Sequence, residues 1–273
     1  MEIISQMLSY QFLINAFVVG ILVSLCAALL GVNLVLKNYA MIGDGLSHVG
    51  FGALAVATAM NMAPLKIALP VVILSAFFLL RLSENSQLRG DSAIALFSTS
   101  ALAIGVTVSS LAKGMNADIY SYMFGSILAM TQSDVILSIA MSILVLTLFL
   151  LFYNELFAVT FDENFAKATG VKAGFYNSLL ALLTAVTIVL GMRIMGAMLI
   201  SSLIIFPALT SMQIFKNFRS VIISSTLISV ICFVSGITVS YMYSTPTGAS
   251  VVLVNLGFFL SFALINKIRR VTI

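Results

Sequence analysis

The sequence predicts an all-α protein that crosses a membrane eight or nine times, folded as one domain over residues 1–273. Three observations predict it. Hydrophobic residues make up 61% of the chain and charged residues 8%, where a soluble domain carries roughly 25% charged residues. The apolar residues gather into runs of about 20, the length a helix needs to cross the hydrocarbon core. The longest hydrophilic connection, from about Tyr153 to Gly174, is too short for a soluble domain.

In chain order, the first run covers 11–36 and stops at Lys37. The second, 41–60, contains Asp44 and His48. Runs 64–82 and 91–112 follow, flanked by Lys66, Arg81, Arg89 and Lys113. The stretch 115–133 is shorter and holds Asp118 and Gln132, so it is expected as a re-entrant or interfacial helix. Run 134–154 leads into a charged connector. Runs 175–192 and 195–212 meet around Arg193. Run 220–243 begins after Lys216 and Arg219, and run 247–266 ends before Lys267, Arg269 and Arg270.

Lys and Arg set the expected orientation. With the C-terminus in the cytoplasm, ten of the 13 basic residues lie inside; Lys66, Lys113 and Arg193 lie outside. Nine crossings then put the N-terminus outside. The net charge of +4 follows from these basic loops rather than from nucleic-acid binding. Trp is absent, and Tyr39, Tyr120, Tyr122, Tyr153, Tyr176, Tyr241 and Tyr243 near the run ends take the place of an interfacial aromatic belt. Glu2, with no basic residue before the first run, argues against a cleaved signal peptide. Cys26 and Cys232 lack metal-knuckle or redox spacing and read as buried small hydrophobes.

Three strings contain polar residues that an apolar chain must account for. The first is Gly43-Asp44-Gly45-Leu46-Ser47-His48, which holds the only histidine. A spacing of four puts Asp44 and His48 on one helical face. An ionisable group deep in a bilayer costs about 2.5–3.5 kcal/mol. The pair therefore either ligates a divalent transition metal through oxygen and nitrogen or ties two helices by hydrogen bonds. Glycines 43, 45, 50 and 52 admit close neighbours. Ser47 is no nucleophile partner for His48, because adjacent helical residues point about 100° apart.

The second string runs from Gly196 to Ala208 and includes Ser201, Ser202 and Pro207. Small and hydroxyl residues with one proline suit a tightly packed, kinked helix or a pathway lining. The third, 155–171, allows Asp162 or Thr160 to cap a short helix ending at Gly170. Phe161, Phe165, Ala166 and Ala168 give that helix a partly apolar face. It is either a surface connector or a docking handle for a cytoplasmic partner.

Together these strings resemble the integral-membrane permeases of bacterial ABC importers for zinc, manganese and iron. The family pattern Gly-Asp-Ala-[Ile/Leu]-Ser-His reads here with Gly45 in place of Ala. A Phe-Asp-x-x-x-Ala-x-x-x-Gly-Val pattern matches Phe161, Asp162, Ala166, Gly170 and Val171. The pattern Gly-Ala-x-Leu-[Ile/Val]-Ser-x-Leu-[Ile/Leu]-Ile-x-Pro-Ala matches Gly196 to Ala208. The resemblance implies a homodimer in the bacterial cytoplasmic membrane, a cytoplasmic ATPase docked on the 161–171 connector, and an extracytoplasmic metal-binding protein that delivers the ion. It makes Asp44 and His48 the metal contacts of the pathway. ATP belongs to the partner subunit, in keeping with the lack of a Gly-x-x-x-x-Gly-Lys-[Ser/Thr] loop in this sequence. No permanent cofactor and no enzymatic activity are expected. The expected cargo is Zn²⁺ first, because of the histidine nitrogen, then Mn²⁺ or Fe²⁺. An ion-coupled secondary transporter and a permease for a metal chelate are the competing readings.

Overall fold

The computed structural model describes residues 9–85, 90–112, 121–126 and 130–272, together with Met7. All regular structure among them is helical. The long helices are α1 (Gln11–Leu36), α2 (Ala40–Ala59), α3 (Pro64–Asn85), α4 (Gly90–Leu111), α5 (Gln132–Leu151), α8 (Ala173–Met195), α10 (Phe218–Tyr243) and α11 (Thr247–Thr272). Shorter are α6 (Tyr153–Phe161), α7 (Glu163–Ala168) and α9 (Ala197–Met212). The eight long helices are each long and apolar enough to span a membrane. Helices suit this solvent because they satisfy their own backbone groups where no water is available.

The ninth expected run is real but short. Gly196, at φ 86°, breaks the chain between α8 and α9. The 16 residues of α9 rise only about 24 Å, less than the hydrocarbon thickness of about 30 Å. Even so, α9 passes from one end of the bundle to the other. At its start, Gly196 packs on Met123. Beyond its end, Gln213 accepts a hydrogen bond from Asn266 near the end of α11. Of the expected 115–133 segment, a helical turn over 121–124 is described, while 115–120 and 127–129 lie outside the described residues.

α8 is the central column. From Leu183 to Met195 every residue is buried, and α8 packs against α1, α2, α3, α5 and α9. Its polar residues do not disturb that burial. Thr184 and Thr187 each donate to the carbonyl four residues back, at 2.7 and 2.9 Å. Close helix approach relies on missing side chains. A Cβ on Gly31 of α1 would strike the Ile204 carbonyl of α9, and one on Gly52 of α2 would lie 2.7 Å from the Ala101 carbonyl of α4.

The bundle has two chemically distinct ends. One gathers Lys37, α6, α7 and Asn177, and Phe218 stacks there on Phe157 and Phe161. At the other, Arg193 pairs with Asp134, and Tyr122 meets Thr58. The helix α6 has no counterpart in the expected pattern, which placed a single short helix after residue 160. Asp162, with φ −148° and ψ 98°, is the extended break that divides α6 from α7.

Candidate functional site

α2 starts straight after a fixed turn. Asn38 adopts φ 59°, Asn38 N–H donates to Val35, and Tyr39 N–H donates to Leu34 at 2.8 Å. This is a Schellman closure of α1. Asp44 sits one turn into α2, and His48 one turn further. His48 Nε2 lies 3.6 Å from Asp44 Oδ2. Ser47 turns away from His48 and donates to the Asp44 carbonyl at 2.7 Å.

The third member comes from α9. Ser201 Oγ donates to Asp44 Oδ1 at 3.1 Å. That contact requires α2 and α9 to sit close, and it does not depend on Gly43, since a Cβ there would meet Ile204 only at 3.8 Å, an ordinary van der Waals contact. Pro207 is buried in α9 and has no N–H, so the helical bond to the Leu203 carbonyl is not made. Ser202 is half-buried and Gly196 forms the break itself; neither is in the Asp44 cluster. Of the expected pathway residues, therefore, Asp44, His48 and Ser201 converge. Gly196 and Pro207 shape the helix that delivers Ser201.

The pair is accessible from one side. The Asp44 side chain is 40% exposed and that of His48 15%. Toward the interior, His48 Nδ1 is buried without a hydrogen-bond partner. Among the described residues, no three His, Cys, Asp or Glu side chains come together. One chain thus offers a carboxylate, an imidazole and a hydroxyl, fewer than a closed metal site needs. A separate cavity of about 330 Å³ between α2, α3 and α4 is lined by Val49, Phe97 and Ile104 and has no carboxylate or imidazole. Its only polar side chains are Ser75 and Ser100.

Gly45, where the family pattern has Ala, lies against α4. A Cβ there would meet Ile94 Cγ2 at 2.8 Å. That contact is with a side chain and can give way, so the departure reflects local packing and leaves Asp44 and His48 in place.

The 161–171 connector is built as its residues suggest. Asp162 caps α7 by accepting from Phe165 N–H at 2.9 Å. Thr160 is not the cap; its hydroxyl donates to Asn33 at 2.8 Å and to Leu156. Gly170, at φ 89°, ends α7, and Val171 N–H returns to the Ala166 carbonyl at 2.9 Å. Ala166 is fully buried with Val159 and Ala173, and Val171 packs against them. The expected partly apolar face is split between the interior and the surface. Ala166 points inward, while Phe161 and Phe165 are exposed at 58% and 64%.

Glu163 in the first turn of α7 is held by Lys167 at 2.7 Å, by Asn177 and by Lys37. The Lys167 hydrogen bond first, then Asn177 and the neighbouring lysine charges, lower its carboxyl to about 2, against the opposing effect of partial burial. In the sequence Lys37 serves only as an orientation marker and Arg193 only as an outside charge, and neither Glu163 nor Asn177 stands out. Arg193 is buried and donates to Asp134 at 2.8 Å. An arginine inside an apolar run needs a carboxylate partner, and Asp134 opening the run at the same membrane level was the available signal.

Residues 9–266 match the ABC 3 transport family. The chain belongs to that family. The manganese import system permease protein ScaB of Streptococcus gordonii is 30% identical, with 98% of this chain and 96% of that protein covered. The high-affinity zinc uptake system membrane protein ZnuB of Haemophilus influenzae is also 30% identical, covering 89% and 94%. The solved structure of PsaBC from Streptococcus pneumoniae in complex with Fab superimposes with a TM-score of 0.86 at 29% identity, covering 96% of this chain and 94% of that one.

Proposed function

We propose that this chain, acting as one membrane domain, is the permease subunit of an ATP-driven importer and carries a divalent transition-metal ion past Asp44 and His48. One observation carries the reading: the only histidine, a carboxylate and the Ser201 hydroxyl come together in an apolar bundle, with the carboxylate partly exposed. Relatives named for manganese and for zinc support it.

Two copies of the chain, with their Asp44 faces opposed, supply two carboxylates and two imidazoles. That number suits a transient four-ligand site, and a conducting site must bind loosely enough to release. The finer reading is Zn²⁺. The imidazole nitrogen of His48 favours it, as nitrogen ligands suit zinc while carboxylate oxygen equally suits manganese.

The exposed Phe161 and Phe165 on and beside α7 form the contact for a cytoplasmic ATPase, which supplies the ATP site this sequence lacks. The C-terminus and the α7 end then face the cytoplasm of a bacterial cell. The Arg193 end faces the metal-binding protein that delivers the ion. ATP-driven closure of the partner subunits moves α7 and alternates the exposed side of the path.

The test is uptake of ⁶⁵Zn²⁺ and ⁵⁴Mn²⁺ by proteoliposomes holding the permease with and without its copurifying ATPase. ATP-dependent uptake, with Zn²⁺ the stronger competitor, is the expected result. Uptake without the ATPase establishes a secondary transporter instead, and uptake of metal only as a chelate establishes a chelate permease. Stronger competition by Mn²⁺ overturns the zinc reading alone.

A further inference from the structure

The α7 end of the bundle contains a buried ammonium whose location needs explaining. Lys37 is the C-cap residue of α1, and its side chain is 7% exposed. A buried charge is costly unless it is paired and hydrogen-bonded. Lys37 meets that demand with acceptors from three elements. Its Nζ donates to Asn177 Oδ1 of α8 at 2.7 Å, to the Val159 carbonyl of α6 at 3.1 Å and to Glu163 Oε2 of α7 at 3.4 Å. Three N–H groups meet three acceptors. Asn177 Nδ2 closes the ring by donating to Glu163 Oε2 at 3.0 Å.

A second link lies one helical turn earlier. Asn33 of α1 is fully buried and accepts from Thr160 of α6 at 2.8 Å. The last turn of α1 is thus fastened to the α6–α7 connector at positions 33 and 37, on one face. Only Asn38 and Tyr39 separate Lys37 from α2, and both are held in the Schellman closure of α1. That link is two residues long and is fixed by two backbone hydrogen bonds. A displacement of α7 would then be passed through Lys37 to the start of α2, which carries Asp44.

We propose that Lys37 is a positioning residue that couples movement of α7 to the metal-site helix α2. This rests on the permease reading above. Lys37 touches neither metal nor nucleotide; it acts through Glu163 on one side and the α1–α2 turn on the other. A merely structural lysine would support folding equally in every state of the transport cycle. A coupling lysine instead sets how much transport each ATP hydrolysis yields.

The experiment measures metal transported per ATP hydrolysed in proteoliposomes of the full complex, using ⁶⁵Zn²⁺ and ⁵⁴Mn²⁺ as probes. Lys37→Met keeps the stem and removes charge and donors. It is expected to retain the ATPase on purification and to keep hydrolysis running. The transport-to-hydrolysis ratio should fall about ten-fold, a typical coupling energy between sites. Glu163→Gln, which keeps an acceptor for Lys37, should fall less, and the exchange Lys37→Glu with Glu163→Lys should recover part of the ratio. An unchanged ratio in Lys37→Met overturns the proposal. If Lys37→Met does not accumulate, an unchanged ratio in Glu163→Ala, which removes the acceptor on α7, overturns it equally. Failure of the permease reading is a different outcome, since the wild-type complex itself would then show no ATP-dependent uptake.

Discussion

Ser201 Oγ donates to Asp44 Oδ1 at 3.1 Å, which ties α9 to α2 across 157 residues of sequence. The hydroxyl orients one carboxylate oxygen and leaves the other facing His48. Ser201→Ala removes that orientation and keeps both groups of the proposed metal path. Partners that orient metal ligands are worth about ten- to a hundred-fold in affinity. Uptake should therefore persist with a half-saturating metal concentration raised about ten-fold, checked by uptake kinetics at matched expression.

At the opposite end of the bundle, Arg193 and Asp134 form a pair with side chains only 8% and 15% exposed. Removing one member takes the opposite charge away from the other, and breaking a buried pair costs about 3–5 kcal/mol. Arg193→Leu and Asp134→Asn should each lower the thermal unfolding midpoint in detergent. The double variant should lose less than the sum of the two. Additive losses would show that the pair does not act as a unit.

Gly170 and Gly196 separate two costs. Both have positive φ, 89° and 86°. A Cβ on Gly170 meets nothing, whereas one on Gly196 strikes the Met123 carbonyl. Gly170→Ala should cost about 1 kcal/mol, from the left-handed backbone alone. Gly196→Ala adds the clash and should be markedly less stable, and it should also weaken uptake by displacing Ser201. Thermal midpoints of the two variants, measured side by side, check the order.

Glu163 predicts a pH dependence of defined sign. Its folded pKa, about 2, lies below the ordinary value near 4.5. The unfolded state therefore binds the proton more readily, and the contribution is complete above pH 4.5. It is lost as pH falls from there toward 2. The stability difference between wild type and Glu163→Gln should stay constant from pH 6 to 8 and shrink below pH 4.5. Thermal unfolding across that series measures it.

Much of this architecture can be read from a single chain, because hydrocarbon restricts backbone to helices and makes each polar residue conspicuous. The Asp44–His48 pair is legible from its spacing of four, and the cap at Asp162 and the stop at Gly170 from local chemistry. Relationships between distant segments are not legible that way. Nothing in the local sequence of Ser201 says it faces Asp44, because a 16-residue helix starting at Gly196 sets its register. Lys37 reads as a loop cation until Asn177, Val159 and Glu163 fold around it. The α6 helix is missed although Tyr153, Leu156, Phe157 and Phe161 follow a helical period, because no glycine or proline separates it from the apolar run before it.

The central claim is that the transported ion passes Asp44 and His48. ATP-dependent ⁶⁵Zn²⁺ and ⁵⁴Mn²⁺ uptake by proteoliposomes of wild type, Asp44→Ala and His48→Ala, each with its ATPase bound, tests it directly. Both variants should retain ATPase binding and lose at least about a hundred-fold in uptake, beyond the loss expected for an orienting partner such as Ser201. Wild-type uptake by either variant at equal protein would contradict the assignment of that residue to the path.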